Sequence, residues 1–549
     1  MTLRLRPRRI EWIALGLVIA AVAVALRFWR LTWGLSEQLG FPDELVNFNR
    51  YAEAFKTLSC SSFAQRNPQY PTLYGYLLAL TATALDATGL FPQPLRQASL
   101  QAFLGGRLVA AVAGIATVGL VGVTATRMYS RHAGFAAAAL MAVLPFHVLY
   151  GHVGSTDVLL AAFAALTVHC ADGATRTGRS LLAAAAGFAA GLAFSTKYTG
   201  LAMLVPAGWV VLDRGFAERS VRRAALLALA VGAGFLGGVL CGCPPCVLTP
   251  DIMLRGMRAL YVQTTYLYSG LHNNYLVPSL GWYGRQYVYQ LVASLPFALG
   301  WPLYALSLAG VAVALRGHGR GDRLLLVTLV SFFVAMSSSQ VAFPRYLMPL
   351  FPVLVILAGR AATALERPRW AGLAVLAGVW IYTLALSVSQ IARFSFDQQR
   401  EVAEWIARSP ARTAESRVGV PQVILDYYRL EKPLGERGLR MVSLQRGKWF
   451  EDPPEFLVLP EWVEISIDRD QPGGSIWNDL ERLRSGAAGY TRAASWRSTY
   501  LQESFYTRLD PAFAADLWQG EIGFTVYVRD RAALNRTEPA ETGSPPARR

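Results

Sequence analysis

The chain has 549 residues, 53% of them hydrophobic and 16% charged, with a mean hydropathy of +0.32. Apolar runs near the ~20 residues that a spanning helix needs recur along it, which excludes a soluble globular enzyme and fits a polytopic membrane protein. The formal net charge of +16 does not argue for nucleic acid, because the basic residues concentrate in short loops between apolar runs and no zinc-finger spacing or basic helix accompanies them.

Met1 to Arg9 is arginine-rich and leads into the apolar run 10–30, which reads as an uncleaved signal anchor with a cytoplasmic N-terminus. A large first outer loop, 31–102, follows, and it carries Phe41-Pro42-Asp43-Glu44. Behind that pair, Leu45, Phe48, Ala52 and Phe55 share one face of a predicted amphipathic helix that would lie along a bilayer interface. Asp43 would then stand at the water–lipid boundary, where a lipid-borne substrate presents its head group. A carboxylate there can act as general base toward an acceptor hydroxyl, with Glu44 orienting an acceptor or a cation. The plain alternative is a solvent-exposed acidic pair.

Arg/Lys-bearing segments at 4–9, 127–131, 176–179, 213–223, 316–323 and 360–369 belong on the cytoplasmic side. Spans at 10–30, 103–126, 133–150, 157–171, 181–196, 199–212, 224–243, 292–315, 324–341, 346–362 and 371–391 satisfy them, about eleven crossings in all. The run 71–91 breaks the parity if it crosses, so it reads as a juxtamembrane or re-entrant helix. On this threading the outer face collects Asp43, Glu44, Tyr70, His152 to Asp157, Lys197, the tyrosine-rich loop 244–291, and Phe343-Pro344-Arg345-Tyr346.

Several of these residues are candidates for chemistry. Asp157 opens a predicted span as an N-terminal cap or as a functional ionisable group. His152 is a loop residue beside it. Lys197 stands out because the chain has only Lys56, Lys197, Lys432 and Lys448. A cation there wants an anion, either a carboxylate such as Asp157 or a phosphate. Arg345 offers a planar fork of donors suited to phosphate, with Tyr346 adding a hydroxyl. Arg107 is a third cation, or the neutraliser of an acidic residue. Cys241, Cys243 and Cys246 match no standard zinc spacing and read as small buried residues or one disulfide.

Beyond residue 391 the composition turns polar. Val402, Trp405 and Ile406 fall at helical spacing in 398–408. Short strands are expected at 418–420, 423–425, 456–459 and 522–528. The expected organisation is a membrane domain over 1–391, a small extracytoplasmic α/β domain over 392–534 and a disordered tail over 535–549.

The ordered set Asp43-Glu44, Tyr70-Pro71-Thr72-Leu73-Tyr74, Gly105-Gly106-Arg107-Leu108, Ser155-Thr156-Asp157, Thr196-Lys197-Tyr198 and Arg345-Tyr346-Leu347-Met348-Pro349 resembles the membrane-embedded GT-C glycosyltransferases. The nearest branch is the bacterial dolichyl-phosphate-mannose–protein mannosyltransferase-like group, which includes aminoarabinose transferases of lipid A. The likeness covers roughly residues 10–390. It implies a mainly α fold of the GT-C kind in the cell inner (plasma) membrane, a polyprenyl-phosphate-linked sugar as donor and an inverting transfer at the outer leaflet. Asp43 matches the family's first-loop catalytic Asp, and Lys197, Arg345 and Tyr346 match positions around the lipid phosphate. Relatives often carry Pro-Pro-Leu where this chain has Tyr70-Pro71-Thr72-Leu73.

The expected function is therefore transfer of a sugar to an acceptor hydroxyl on a protein, lipid or glycan. Membrane lipids are partners and nucleic acid is not. No cofactor is expected; a divalent metal on Asp43, Glu44 and Asp157 is the less favoured arrangement. A multi-span transporter or flippase is the main alternative, and it would show ionisable residues near mid-bilayer and pseudo-symmetric halves. A scaffold displaying the C-terminal domain would leave Asp43, Asp157, Lys197 and Arg345 scattered.

Overall fold

Each long apolar run becomes a helix, because a chain in lipid must satisfy its own backbone hydrogen bonds. The computed structural model describes residues 9–33, 44, 70–89, 102–262, 287–338, 343–364, 369–392, 398–421, 430–445, 447–460, 475–496 and 523–530. The chain divides into two units, a membrane unit through residue 395 and a C-terminal unit from residue 396. It is a mainly helical multi-pass membrane protein with a small α/β unit at its C-terminal end.

The membrane unit runs through α1 (Arg9–Phe28), α2 (Leu73–Ala87), α3 (Ala102–Met128), α4 (Arg131–Ala142), α5 (Pro145–Tyr150), α6 (Thr156–Thr177) and α7 (Ser180–Thr196). It continues through α8 (Leu204–Glu218), α9 (Val221–Gly242), α10 (Pro244–Leu248), α11 (Pro250–Val262), α12 (Leu295–Leu299), α13 (Trp301–Gly317), α14 (Arg320–Ser337), α15 (Phe351–Ala364) and α16 (Arg369–Ala392). Every run read as a crossing has a helix or a broken pair of helices at its place. Among the described residues seven helices are long and apolar enough to cross unaided, or eight with the bent pair Tyr287–Leu299 and Trp301–Gly317 counted as one. The remainder fall short for physical reasons. Pro145 divides α4 from α5, α7 has 17 residues, and α14 begins with Arg320, Asp322 and Arg323. The pair that bends by 119° turns at Gly300, whose φ of 82° a side chain would resist. Within the run 71–91, Leu73–Ala87 is a short apolar helix of 15 residues.

Small residues set how closely the helices approach. A methyl group added at Gly187 or Gly191 of α7 would collide with backbone carbonyls of Val231 or Phe235 on α9. One added at Gly234 or Gly238 of α9 would collide with those of Ala184 or Phe188 on α7. These two four-residue glycine spacings meet face to face, the close packing that holds helices together where no hydrophobic drive exists.

The α4–α5 break is held by a buried charge. The guanidinium of Arg27 on α1, wholly buried, donates to the Ala142 carbonyl at 3.0 Å and the Met141 carbonyl at 3.3 Å, with His147 Nδ1 at 2.9 Å. It thereby satisfies carbonyls that a broken helix leaves orphaned.

The C-terminal unit opens with α17 (Gln398–Arg408) and includes α18 (Glu431–Gly435) and α19 (Ser475–Arg484). Its strands are β1 (Arg417–Pro421), β2 (Arg440–Leu444), β3 (Phe456–Pro460), β4 (Tyr490–Trp496) and β5 (Phe524–Arg529). They form one mixed sheet in the order β2-β1-β3-β5-β4, with β1 parallel to β2 and β3, and β5 antiparallel to β3 and β4. Val402 and Ile406 of α17 are buried in its core with Val418, Val420, Leu457, Leu459 and Trp449. The expected strand at 423–425 lies outside the described residues.

Candidate functional site

The site assembles where three spans end together. Asp157 sits in the first turn of α6, after Ser155, and Lys197 follows the last residue of α7 in extended backbone. Lys197 Nζ donates to Asp157 Oδ1 at 2.8 Å, with both side chains nearly buried. Of the two anions the sequence offered this lysine, the carboxylate is in place. On its other side the ammonium lies 4.6 Å from the centroid of the Tyr346 ring.

Tyr346 and Arg345 belong to the 3-10 turn Pro344–Leu350 that precedes α15, where two prolines prevent a regular α-helical entry. The Arg345 guanidinium lies 4.5 Å from the Phe343 ring and 5.7 Å from that of Tyr346. Its Nη1 donates to the Tyr150 hydroxyl at 3.4 Å. Tyr70, just before α2, is within electrostatic reach of both Lys197 and Tyr346. Two cations thus share one aromatic ring.

A second constellation adjoins the first through Gly154. Arg107, wholly buried in α3, meets Glu44 through both forks, Nε to Oε1 at 2.7 Å and Nη2 to Oε2 at 2.9 Å. Its remaining nitrogen donates to the carbonyls of Leu31 and Trp33, and its plane lies 4.4 Å from the Trp33 ring centroid. Glu44 Oε1 also accepts the Gly154 N–H at 2.7 Å. Gly106 is required beside Arg107, since a side chain there would strike the Tyr74 hydroxyl. Such a buried, bidentate pair fixes the backbone that leads into Asp157.

His152 is a stitch between segments. Its Nδ1 faces the Val148 carbonyl at 2.9 Å and its Nε2 the Trp29 carbonyl at 3.0 Å, while its own carbonyl accepts from Trp33 Nε1. Burial pushes its pKa down to about 4. Beside α7, Thr72 donates to the Gly242 carbonyl, and Cys243 and Cys246 form a disulfide next to Tyr198; among the described residues Cys170 and Cys241 are thiols outside it.

Among the nine residues singled out in the sequence, Asp43 lies outside the described residues, as does the amphipathic stretch behind it. The structure brings together Asp157, Lys197, Tyr70, Arg345 and Tyr346 in one cluster. Glu44, Arg107 and the backbone beside His152 form the scaffold next to it. The metal arrangement on Asp43, Glu44 and Asp157 depends on an undescribed residue, and the other two engage Arg107 and Lys197. Sequence reasoning missed Arg27 and His147, although an arginine inside the apolar run 10–30 followed by a proline within the run 133–150 was a usable signal.

Residues 100–237 match the family model for dolichyl-phosphate-mannose-protein mannosyltransferase, which bears out the family resemblance read in the sequence. Comparison with curated proteins gives no match. Among solved structures the chain is similar to ArnT from Cupriavidus metallidurans bound to undecaprenyl phosphate, at 15% identity and a TM-score of 0.49, covering 83% of this chain and 94% of that one. It is also similar to the Archaeoglobus fulgidus oligosaccharyltransferase in its apo form, at 13% identity and a TM-score of 0.49, covering 89% and 74%. The S. cerevisiae protein O-mannosyltransferase Pmt1-Pmt2 complex bound to the sugar donor matches at 20% identity and a TM-score of 0.34, covering 47% and 35%.

Proposed function

We propose that this chain, a multi-pass membrane protein of the GT-C glycosyltransferase kind, moves a sugar from a polyprenyl-phosphate donor to an acceptor hydroxyl, with inversion at the anomeric carbon. The observation that carries the reading is the pair of cations at the Tyr346 ring. Both Lys197 and Arg345 stand at that ring, and a donor phosphate reaching them would have its leaving charge stabilised. Asp157 holds Lys197 charged and aimed. A donor lipid could enter laterally between helices, so no nucleotide-binding fold is needed.

Asp43 is the proposed general base. It adjoins Glu44 in the chain, and Glu44 is tied to Gly154, three residues before Asp157. Glu44 and Arg107 are positioning residues in this reading, since both are saturated by each other and by backbone. The transfer occurs on the outer face, with the C-terminal unit on that side, in the cell inner membrane. The Cys243–Cys246 disulfide beside Tyr198 supports this sidedness, because disulfides persist in oxidising compartments. No metal is required by the proposal.

The test is transfer by membranes carrying wild type or Asp43→Asn, supplied with candidate polyprenyl-phosphate sugars and read by mass spectrometry. Wild type should release polyprenyl phosphate and glycosylate an acceptor, and the variant should lose about 10²–10⁴-fold in rate. Equal rates for the two proteins would remove Asp43 from the chemistry.

A further inference from the structure

The C-terminal unit carries a cleft at the margin of its core. Helix α17 turns Val402 and Ile406 into the core and packs Trp405 against its margin, with Glu401 and Arg408 flanking Trp405 at helical spacing. Those side chains, with Glu404, Pro410 and Trp496 from the end of β4, line an open cleft of about 450 Å³. Trp405 and Trp496 pack edge to face against each other in its wall, their ring centroids 6.3 Å apart. Both indoles are only partly buried, whereas Trp449 of the same unit is 1% exposed and serves the core.

The polar groups of the cleft are of mixed kind. Glu404 is engaged by Arg437 at 2.7 Å and lies 3.7 Å from Arg408. Glu401 has no partner among the described residues, and neither indole N–H donates to one. An apolar occupant would leave that carboxylate and those donors unpaired, which is costly once water is excluded. An anionic occupant would meet Glu401. A ligand that combines flat C–H faces with both donating and accepting hydroxyls satisfies every surface: the faces lie on the indoles, whose π clouds are electron-rich. Its hydroxyls donate to Glu401 and accept from Arg408 and the indole N–H groups.

We propose that this cleft binds a saccharide chain, with Trp405 and Trp496 as its stacking faces and Glu401 as a hydroxyl acceptor. Binding here stands apart from the transfer chemistry assigned to the membrane unit.

Ligand-observed NMR on the full chain in phosphatidylcholine nanodiscs tests this, with mannotriose, maltotriose and chitotriose as probes. At least one should bind, with saturation transfer strongest at ring C–H protons. Trp405→Ala should weaken it roughly tenfold or more, since a tryptophan anchor in a cleft dominates such contacts. Trp405→Phe should recover most of the affinity. Glu401→Gln, which keeps an acceptor oxygen but loses its charge, should weaken it about threefold. Asp43→Asn should bind the saccharide as wild type does, whatever becomes of transfer, which separates the two readings. No binding by any probe, wild-type affinity in both Trp405→Ala and Glu401→Gln, or loss of binding in Asp43→Asn would overturn the assignment. So would preferential binding of an arginine-rich peptide, which could use the same indoles and carboxylate.

Discussion

Arg107 and Arg127 lie on one helix, α3, about 30 Å apart by helical rise. Asp157 and Asp172 likewise bracket α6, and Arg345 and Arg360 stand at the two ends of the segment 344–364. At the far end each buried carboxylate among the described residues is paired with arginine. Asp172 takes Arg127 at 2.8 Å and Arg176 at 2.9 Å, Asp213 takes Arg323 at 3.1 Å, and Asp322 takes Arg360 and the Tyr129 hydroxyl. These links tie α3, α6, α8, α14 and α15 to one another. At the near end, Glu44 pairs with Arg107 and Asp157 with Lys197, but Lys197 and Arg345 also face aromatic rings. A ring face adds a cation–π attraction to whatever else holds the cation. One end is held by carboxylate–arginine pairs; the other combines carboxylate–cation pairs with cations set against aromatic rings.

The largest effects should come from the one saturated pair at the near end. Arg107→Ala leaves Glu44 charged and buried, and should cost about 3–5 kcal/mol in thermal unfolding in detergent, with transfer falling alongside. Arg107→Lys keeps the charge without the fork and should recover only part of the stability. Full activity in a stable Arg107→Ala protein would break the division between scaffold and ligand site. Next in size is Lys197→Ala, expected to reduce transfer about 10²-fold per folded molecule, with a loss of stability beside it because Asp157 is left buried without its cation. A large loss of stability with an unchanged rate per folded molecule would move Lys197 to the structural side of the comparison. Third, Asp172→Asn should cost about 1–3 kcal/mol of stability, by stranding Arg127 and Arg176, with the rate per folded molecule unchanged.

How far this contrast could be read from residues alone depends on chain distance and exposure. The scarcity of lysine pointed to Lys197 and to Asp157 as its partner, and the helix boundaries on either side placed both at span ends. Arg107 could be read as a neutraliser, but its partner Glu44 lies 63 residues away, and loop closure of that length leaves no local trace. Arg27 escaped because its partners are backbone carbonyls exposed only by a break in another helix. In the C-terminal unit, β1, β3 and β5 were legible because central strands bury both faces and read as apolar runs. The two edge strands, β2 and β4, are mostly exposed and carry no such run, so sequence pattern passed over them.

The smallest expected effect probes how redundant the far end is. Arg323 donates to Asp213, but its side chain is 48% exposed, and Arg320 lies 3.7 Å from the same carboxylate. Arg323→Ala therefore leaves Asp213 with a second cation, and water reaches what is exposed. The cost should stay below about 1 kcal/mol and shrink further at high salt. Thermal unfolding at two ionic strengths reads both. A loss as large as that of Asp172→Asn, independent of salt, would mean that the arginines at this end are individually indispensable. The far end would then resemble the Glu44–Arg107 pair, and the distinction between a redundant belt and a single buried anchor would fail.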